Sequence, residues 1–203
     1  MKFNIKKILS GVMATVMALT MLPNFSALAE DVVKYPYTMF AASNKEGAIT
    51  INASNFCVNG GIATNGTIIS SGNMNVNGTK SENANEEMIY IFDKLDSEYF
   101  LGNNVKEFEE DYILKEMNIN INNPLEVKGE IELTGNINLN TGMKALEDII
   151  LNGEVKNTNN SVIFSKYGDV VIDSMNTNLN GLIYAPFGNV EITAQNLNFN
   201  NGP

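Results

Sequence analysis

Three observations predict a mostly β fold, a single-stranded parallel β-solenoid with coils of about twenty residues and one α-helical insertion. First, residues 162–201 are one unit written twice. Val162-Ile163-Phe164-Ser165 and Leu182-Ile183-Tyr184-Ala185 match in pattern, Gly168 falls on Gly188, and Val170-Val171-Ile172 falls on Val190-Glu191-Ile192. Second, each unit ends in strict alternation, with Leu179 on Phe199 between matched asparagines, which is the period of a half-buried strand. Third, the same frame recurs near the front, where Ile49-Thr50-Ile51 and Phe56-Cys57-Val58 repeat the spacing of Val190 to Ile192 and Leu197 to Phe199. A unit this short cannot offset the entropy of ordering its backbone by burying its own few apolar side chains, so each coil needs neighbours above and below.

Residues 1–29 read as a secretory signal peptide. Lys2, Lys6 and Lys7 precede the apolar run Ile8 to Leu22, and Ala27-Leu28-Ala29 forms a cleavage site before Glu30. Localisation is therefore expected to be secreted or extracellular, in association with the cell surface. No other stretch is apolar and long enough to span a bilayer, so no membrane span remains after cleavage. Loss of the three lysines takes the formal charge from −10 to about −13. With no basic stripe to meet phosphates, nucleic acid is excluded as a partner. The chain has no His and no Arg, which removes imidazole bases, histidine-ligated zinc and guanidinium clamps. About one residue in six is Asn, suited to turns and to stacked side-chain ladders.

After a leader, 30–38, the β-helix domain is expected over 39–203, with its first coils at Met39 to Thr79 punctuated by Gly60-Gly61, Asn65-Gly66 and Asn77-Gly78. Residues 80–116 lose glycine except Gly102 and gain acids. They space Met88, Phe92, Leu95 and Tyr99 three or four apart, so a helical insert is expected there, with Ser81 or Asn83 as its N-cap. Strands resume at Asn118 and continue through Ile131 to Leu133, Ile137 to Leu139 and Ile149 to Leu151. Coil lengths over 118–160 do not follow the twenty-residue frame. The sequence stops at Pro203, where a further coil is due and no polar cap is written. The last coil is thus expected to present an open edge, for self-association or for further domains of a longer chain.

Cys57 cannot pair internally, and alternation turns it outward into a position otherwise held by Asn. The fit of Asn52, Asn65 and Asn77 to the N-glycosylation pattern is expected by chance in a chain this rich in Asn. Candidate catalytic acids for polysaccharide cleavage are Asp148, Asp169, Asp173 and Glu191, since glycoside hydrolysis needs two facing carboxylates. Asp169 maps to Asn189 and Asp173 to Thr193 in the repeat, which speaks for a solvated surface and against a constellation; no catalytic residue is assigned. Tyr90, Tyr99 and Tyr112 are the candidate ligand residues for an extracellular glycan. No cofactor is expected, and turn oxygens suit weak calcium binding at most.

Gly181-Leu182-Ile183-Tyr184-Ala185-Pro186-Phe187-Gly188 and the Asn-Leu-Asn-Phe strand after it resemble coils of bacterial polymer-forming, bactofilin-like β-helices and of related modules in exported surface proteins of Gram-positive bacteria. The resemblance covers residues 39–79 and 117–201. It implies a right-handed parallel β-helix and a secreted, non-catalytic structural or adhesive surface module, a stalk or assembly unit. The alternatives are a carbohydrate-binding module or a polysaccharide-cleaving enzyme. Cytoskeletal bactofilins have no signal peptide, so their intracellular role does not carry over.

Overall fold

The computed structural model describes residues 37–84, 104–157 and 161–201, with backbone alone at 201. All of them fall within one compact unit, 35–203. They form β1 (Tyr37–Ala41), β2 (Ile49–Asn59), β3 (Gly61–Thr64), β4 (Ile68–Val76), β5 (Lys80–Ser81), β6 (Lys106–Phe108), β7 (Tyr112–Ile121), β8 (Leu125–Val127), β9 (Ile131–Leu139), β10 (Met143–Ala145), β11 (Ile149–Asn152), β12 (Val155–Asn157), β13 (Ser161–Ser165), β14 (Val170–Ala185) and β15 (Val190–Asn201). Each pairing between them is parallel. The fold is a parallel β-solenoid of about seven turns.

Each coil has three sides. Side A holds the short strands typified by β13. Side B holds segments such as Val170 to Asp173, and side C those such as Asn176 to Asn180. The bends are visible as slips in alternation. Met175 and Asn176 are both exposed, as are Gln195 and Asn196, and Ser54 and Asn55. At the turn from C back to A, Gly181 has φ of 140°, and a Cβ there would collide with the Ser161 carbonyl oxygen of the coil beneath.

Chain order and stacking order differ. Along side A the strands run β5, β3, β1, the end of β14, β13, β10, β8 and β6. Of the described strands, the first therefore lies in the middle of the stack, and the chain winds from it to one end through β3, β4 and β5. It re-enters at the opposite end with β6 and β7, and winds back until β15 lies on β2. Val190 pairs with Ile49, Leu197 with Phe56 and Asn200 with Asn59. This corrects the expectation of an open C-terminal coil, because β15 is paired on both edges, by β14 and by β2. Among the described residues the strands paired on one edge only are β4, β5, β6 and β7. One of these edges is partly blocked: the Glu82 carboxylate accepts the Ile68 N–H at 2.7 Å, and the amides of Asn83 and Ala84 bond the turn at Thr64 to Gly66.

Two further expectations change. The helical insert does not extend over 80–116, since β5 occupies 80–81 and β6 and β7 begin at Lys106 and Tyr112. The acids of this stretch sit on turns and outer positions, while Phe108, Tyr112 and Leu114 pack against the core. The remainder of the expected helix, 85–103, lies outside the described residues. Coil length varies from 18 residues, where Ile131 pairs with Ile149, through 20, where Val170 pairs with Val190, to 21, where Ile149 pairs with Val170. Of the two residues between 18 and 20, one lies in the A–B turn, which has three residues after β8 and four after β13, and one in the B–C bend, where Ile131 to Ile137 is matched by Val170 to Thr177.

The interior is a set of aliphatic columns. One runs Ile51, Ile192, Ile172, Leu151, Leu133; another runs Val58, Phe199, Leu179 and, two coils on, Leu139 and Ile121. Between Leu179 and Leu139 stands Asn157, and its carboxamide is satisfied: it accepts the Asn180 N–H and donates to the Asn180 carbonyl, both at 2.7 Å. A second buried apolar cluster lies on the outer aspect of side A, with Tyr184 stacked between Phe40 at 5.6 Å and Phe164 at 5.2 Å.

The stacking order predicts a crosslink. Neighbouring parallel strands stand about 4.8 Å apart, inside the Cα separation a disulfide spans. In a Cys57→Ser background, Asn59→Cys with Asn200→Cys should close an intramolecular disulfide on mild oxidation, read as a mobility shift on a non-reducing gel; a free last coil would leave the monomer unlinked. Gly181→Ala should lower unfolding free energy by about 1–3 kcal/mol in denaturant titration, because it forces a side chain into left-handed backbone against a neighbouring carbonyl.

Candidate functional site

Side C is the most regular surface of the molecule. Alternation places three outward positions on each rung, about 6.7 Å apart along the strand and about 4.8 Å apart between strands. Asparagine fills most of them. In the column nearest side A, the Asn77 amide donates to Asn59 (2.8 Å), Asn59 to Asn200 (2.8 Å) and Asn200 to Asn180 (2.9 Å). In the column nearest side B, Asn55 donates to Asn196 (3.2 Å) and Asn196 to Asn176 (2.9 Å). Every bond runs in the same direction along the stack, so the amide dipoles align and reinforce one another.

The middle column differs. Its successive members are Asn75, Cys57, Asn198 and Asn178, and none of these side chains bonds another among the described residues. Cys57 stands in an asparagine position, as alternation predicts, and is half-buried. It helps line a depression of about 370 Å³ among Asn55, Asn73, Asn75, Asn196 and Asn198. The result is a strip of open carboxamides between two locked ladders. One coil further on the strip ends at a charged rung, where Lys156 pairs with Glu154 at 3.0 Å. Beyond that rung the pattern resumes with Asn136, Asn138 and Asn140 donating to Asn118, Asn120 and Asn122.

The acids proposed from sequence as catalytic candidates do not converge. The Asp148 carboxylate accepts the Asp169 N–H at 2.7 Å, and that of Asp169 accepts the Asn189 N–H at 2.7 Å, so both brace the next coil at the A–B turn. Asp111 does the same for Glu130 at 2.9 Å. The glycines ahead of these amides leave room for the carboxylates: a Cβ on Gly129 or Gly168 would strike the oxygen of Asp111 or Asp148. Asp173 and Glu191 stand on side B, in register with Thr193 and Val171. Among the described residues no three of His, Cys, Asp and Glu gather as a metal site. Of the tyrosines proposed as glycan contacts, Tyr112 is half-buried with its ring 4.6 Å from Phe108, and Tyr90 and Tyr99 lie outside the described residues.

This architecture is that of a parallel β-solenoid with asparagine ladders. No family model matches the chain, and no curated protein matches it. Among solved structures, the crystal structure of an ice binding protein from an Antarctic bacterium, Flavobacteriaceae, is similar at a TM-score of 0.37 and 15% identity. The match covers 82% of this chain and 46% of that one, so the chain spans under half the length of that structure.

On an A–B turn, the Glu130 carboxyl is held above the ordinary range, first by burial and then by the charges of Asp148, Asp111, Glu132 and Glu147. Its protonated form is thus favoured in the native state. The stability linked to it is fully present at low pH and is lost as pH rises through the raised folded pKa. Glu130→Gln should raise the melting temperature at pH 7 by about 1–3 °C, with the gain vanishing near pH 4.

Proposed function

We propose that this chain is an exported, non-catalytic structural and adhesive module of the cell surface, whose asparagine strip on side C holds a hydroxyl-rich or amide-rich repetitive polymer. The observation that carries the reading is the middle column. Asn75, Asn198 and Asn178 are exposed, with donor and acceptor unpartnered among the described residues, while the ladders on either side lock the surface around them. Such a surface has little conformational freedom left to lose on binding. Free carboxamides recurring at the strand spacing suit a partner that also repeats, and a neutral array avoids the desolvation cost of buried charge. Export rests on the N-terminal segment, and the placement among bactofilin-like surface modules rests on the Gly-x-x-Tyr-Ala-Pro-x-Gly coil.

The experiment is cosedimentation of the whole protein with insoluble cell-wall polysaccharide and peptidoglycan from the producing cell. Wild-type protein should pellet with one of them. Asn178→Ala combined with Asn198→Ala, or a bulky maleimide on Cys57, should weaken the interaction about tenfold with circular dichroism unchanged. Absence of pelleting with any wall fraction, or pelleting indifferent to both perturbations, removes the reading.

A further inference from the structure

The A–B turns after β13 and after the end of β14 are each one residue longer than those after β6, β8 and β10. The longer turns carry Tyr167 and Phe187 at their tips. These rings stack on each other at 5.7 Å and 28°, on consecutive coils. Tyr167 is 59% and Phe187 51% exposed, and they are the two large aromatic side chains so exposed among the described residues. The aromatics Phe40, Phe164 and Tyr184 on side A, by contrast, pack into a buried cluster. An aromatic pair left open in water forgoes the stabilisation its burial would bring, so the lengthened turns are not explained by packing.

The pair is also held rigidly. The amides of Lys166 and Tyr167 bond the carbonyls of Ala145 and Leu146, both at 2.9 Å. Ser165 Oγ donates to the Glu147 carbonyl at 2.7 Å and accepts the Gly168 N–H at 3.1 Å. Pro186 limits the backbone of the second turn. Around the rings stand polar groups of both kinds: Lys166 Nζ lies 5.0 Å from the Tyr167 ring centroid, and the Asn189 carboxamide donates to Asp169 beside the turn.

We infer that Tyr167 and Phe187 form a sugar-binding platform for a neutral pyranose polysaccharide. A pyranose ring has an apolar C–H face and a rim of hydroxyls. The face suits a rigid aromatic shelf, and the rim suits an ammonium donor and amide or carboxylate acceptors at its border. Charge selects the neutral class, because a chain with a formal net charge of −10 repels polyuronates and sulfated glycans. This site lies on the edge of the coil opposite side C and stands independently of the asparagine strip.

Affinity electrophoresis of the whole protein in gels containing xyloglucan, mannan, hydroxyethylcellulose or dextran tests it, with polygalacturonate and alginate alongside. At least one neutral polymer should retard the protein. Tyr167→Ala and Phe187→Ala should each weaken retardation about tenfold, and Phe187→Tyr should retain it. Circular dichroism and melting temperature should be unchanged, since both side chains are exposed. Ile113→Ala, at an exposed apolar side chain of side B outside both sites, should leave retardation intact, which separates this site from adsorption to exposed apolar surface in general. No retardation by any neutral polymer, retardation by anionic polymers alone, or retardation of both alanine variants equal to that of the wild type would overturn the assignment. So would a self-associated form that the alanine variants dissolve, which would identify the aromatic pair as a contact between copies.

Discussion

The parallel hydrogen-bond ladder between coils is the interaction on which everything else in this molecule depends. A coil of this length buries too little by itself to remain ordered, so its stability resides in the neighbours that complete its ladder and its apolar columns. A chain wound in simple sequence would leave its first and last coils each covered on one face. Here the last coil is laid on the first, and β15 and β2 pair over ten residues although their chain separation reaches 141. Among the described residues, β4 and β5 at one end and β6 and β7 at the other are left with one edge unpaired. Pairing at such separation carries a large loop-closure cost before it is rewarded, so the junction belongs to the slow, non-local class of folding events.

Much of the architecture was legible in the residues because each coil repeats one environment. The Gly-Asp or Gly-Asn turn, the Val-x-Ile segment and the Asn-Leu-Asn segment announce the three sides. The match between Ile49 to Val58 and Val190 to Phe199 was also legible, but repetition reports similarity of environment and not order. It read as a third copy, when in the structure it marks two strands lying against each other. The stretch from Lys106 to Lys115 was misread for a related reason. Its turns use Glu and Asp where other turns use Gly, so the glycine punctuation disappears while Phe108, Tyr112 and Leu114 keep their inward positions.

The candidate site divides the same way. Alternation alone places the asparagines and Cys57 outward on side C. Which carboxamides are locked and which are open depends on what stands one coil above and below, and that requires the stacking order. Tyr167 and Phe187 align in the repeat, but their exposure follows from a turn one residue longer than its neighbours, a difference that becomes visible once the shorter coils are in register with the longer ones.

The chemistry of the two edges explains why a solenoid can repeat asparagine freely and cannot repeat aspartate in the same way. A carboxamide carries a donor and an acceptor, so an Asn in the locked ladders of side C can receive from one neighbour and give to the next, and such a column can extend without limit at the strand spacing. A carboxylate only accepts. On the A–B turns each Asp must find a donor, and it finds the backbone N–H of the next coil, with glycine leaving space for the approach. Where an acid of that edge is also partly buried, as Glu130 is, burial raises its pKa first and the flanking charges of Asp148 and Asp111 add to the rise. Among the described residues side C has one charged rung, and there Glu154 and Lys156 neutralise each other within the rung. The neutral ladder therefore belongs on the flat side that repeats, and the acids belong at turns where the backbone supplies their hydrogens.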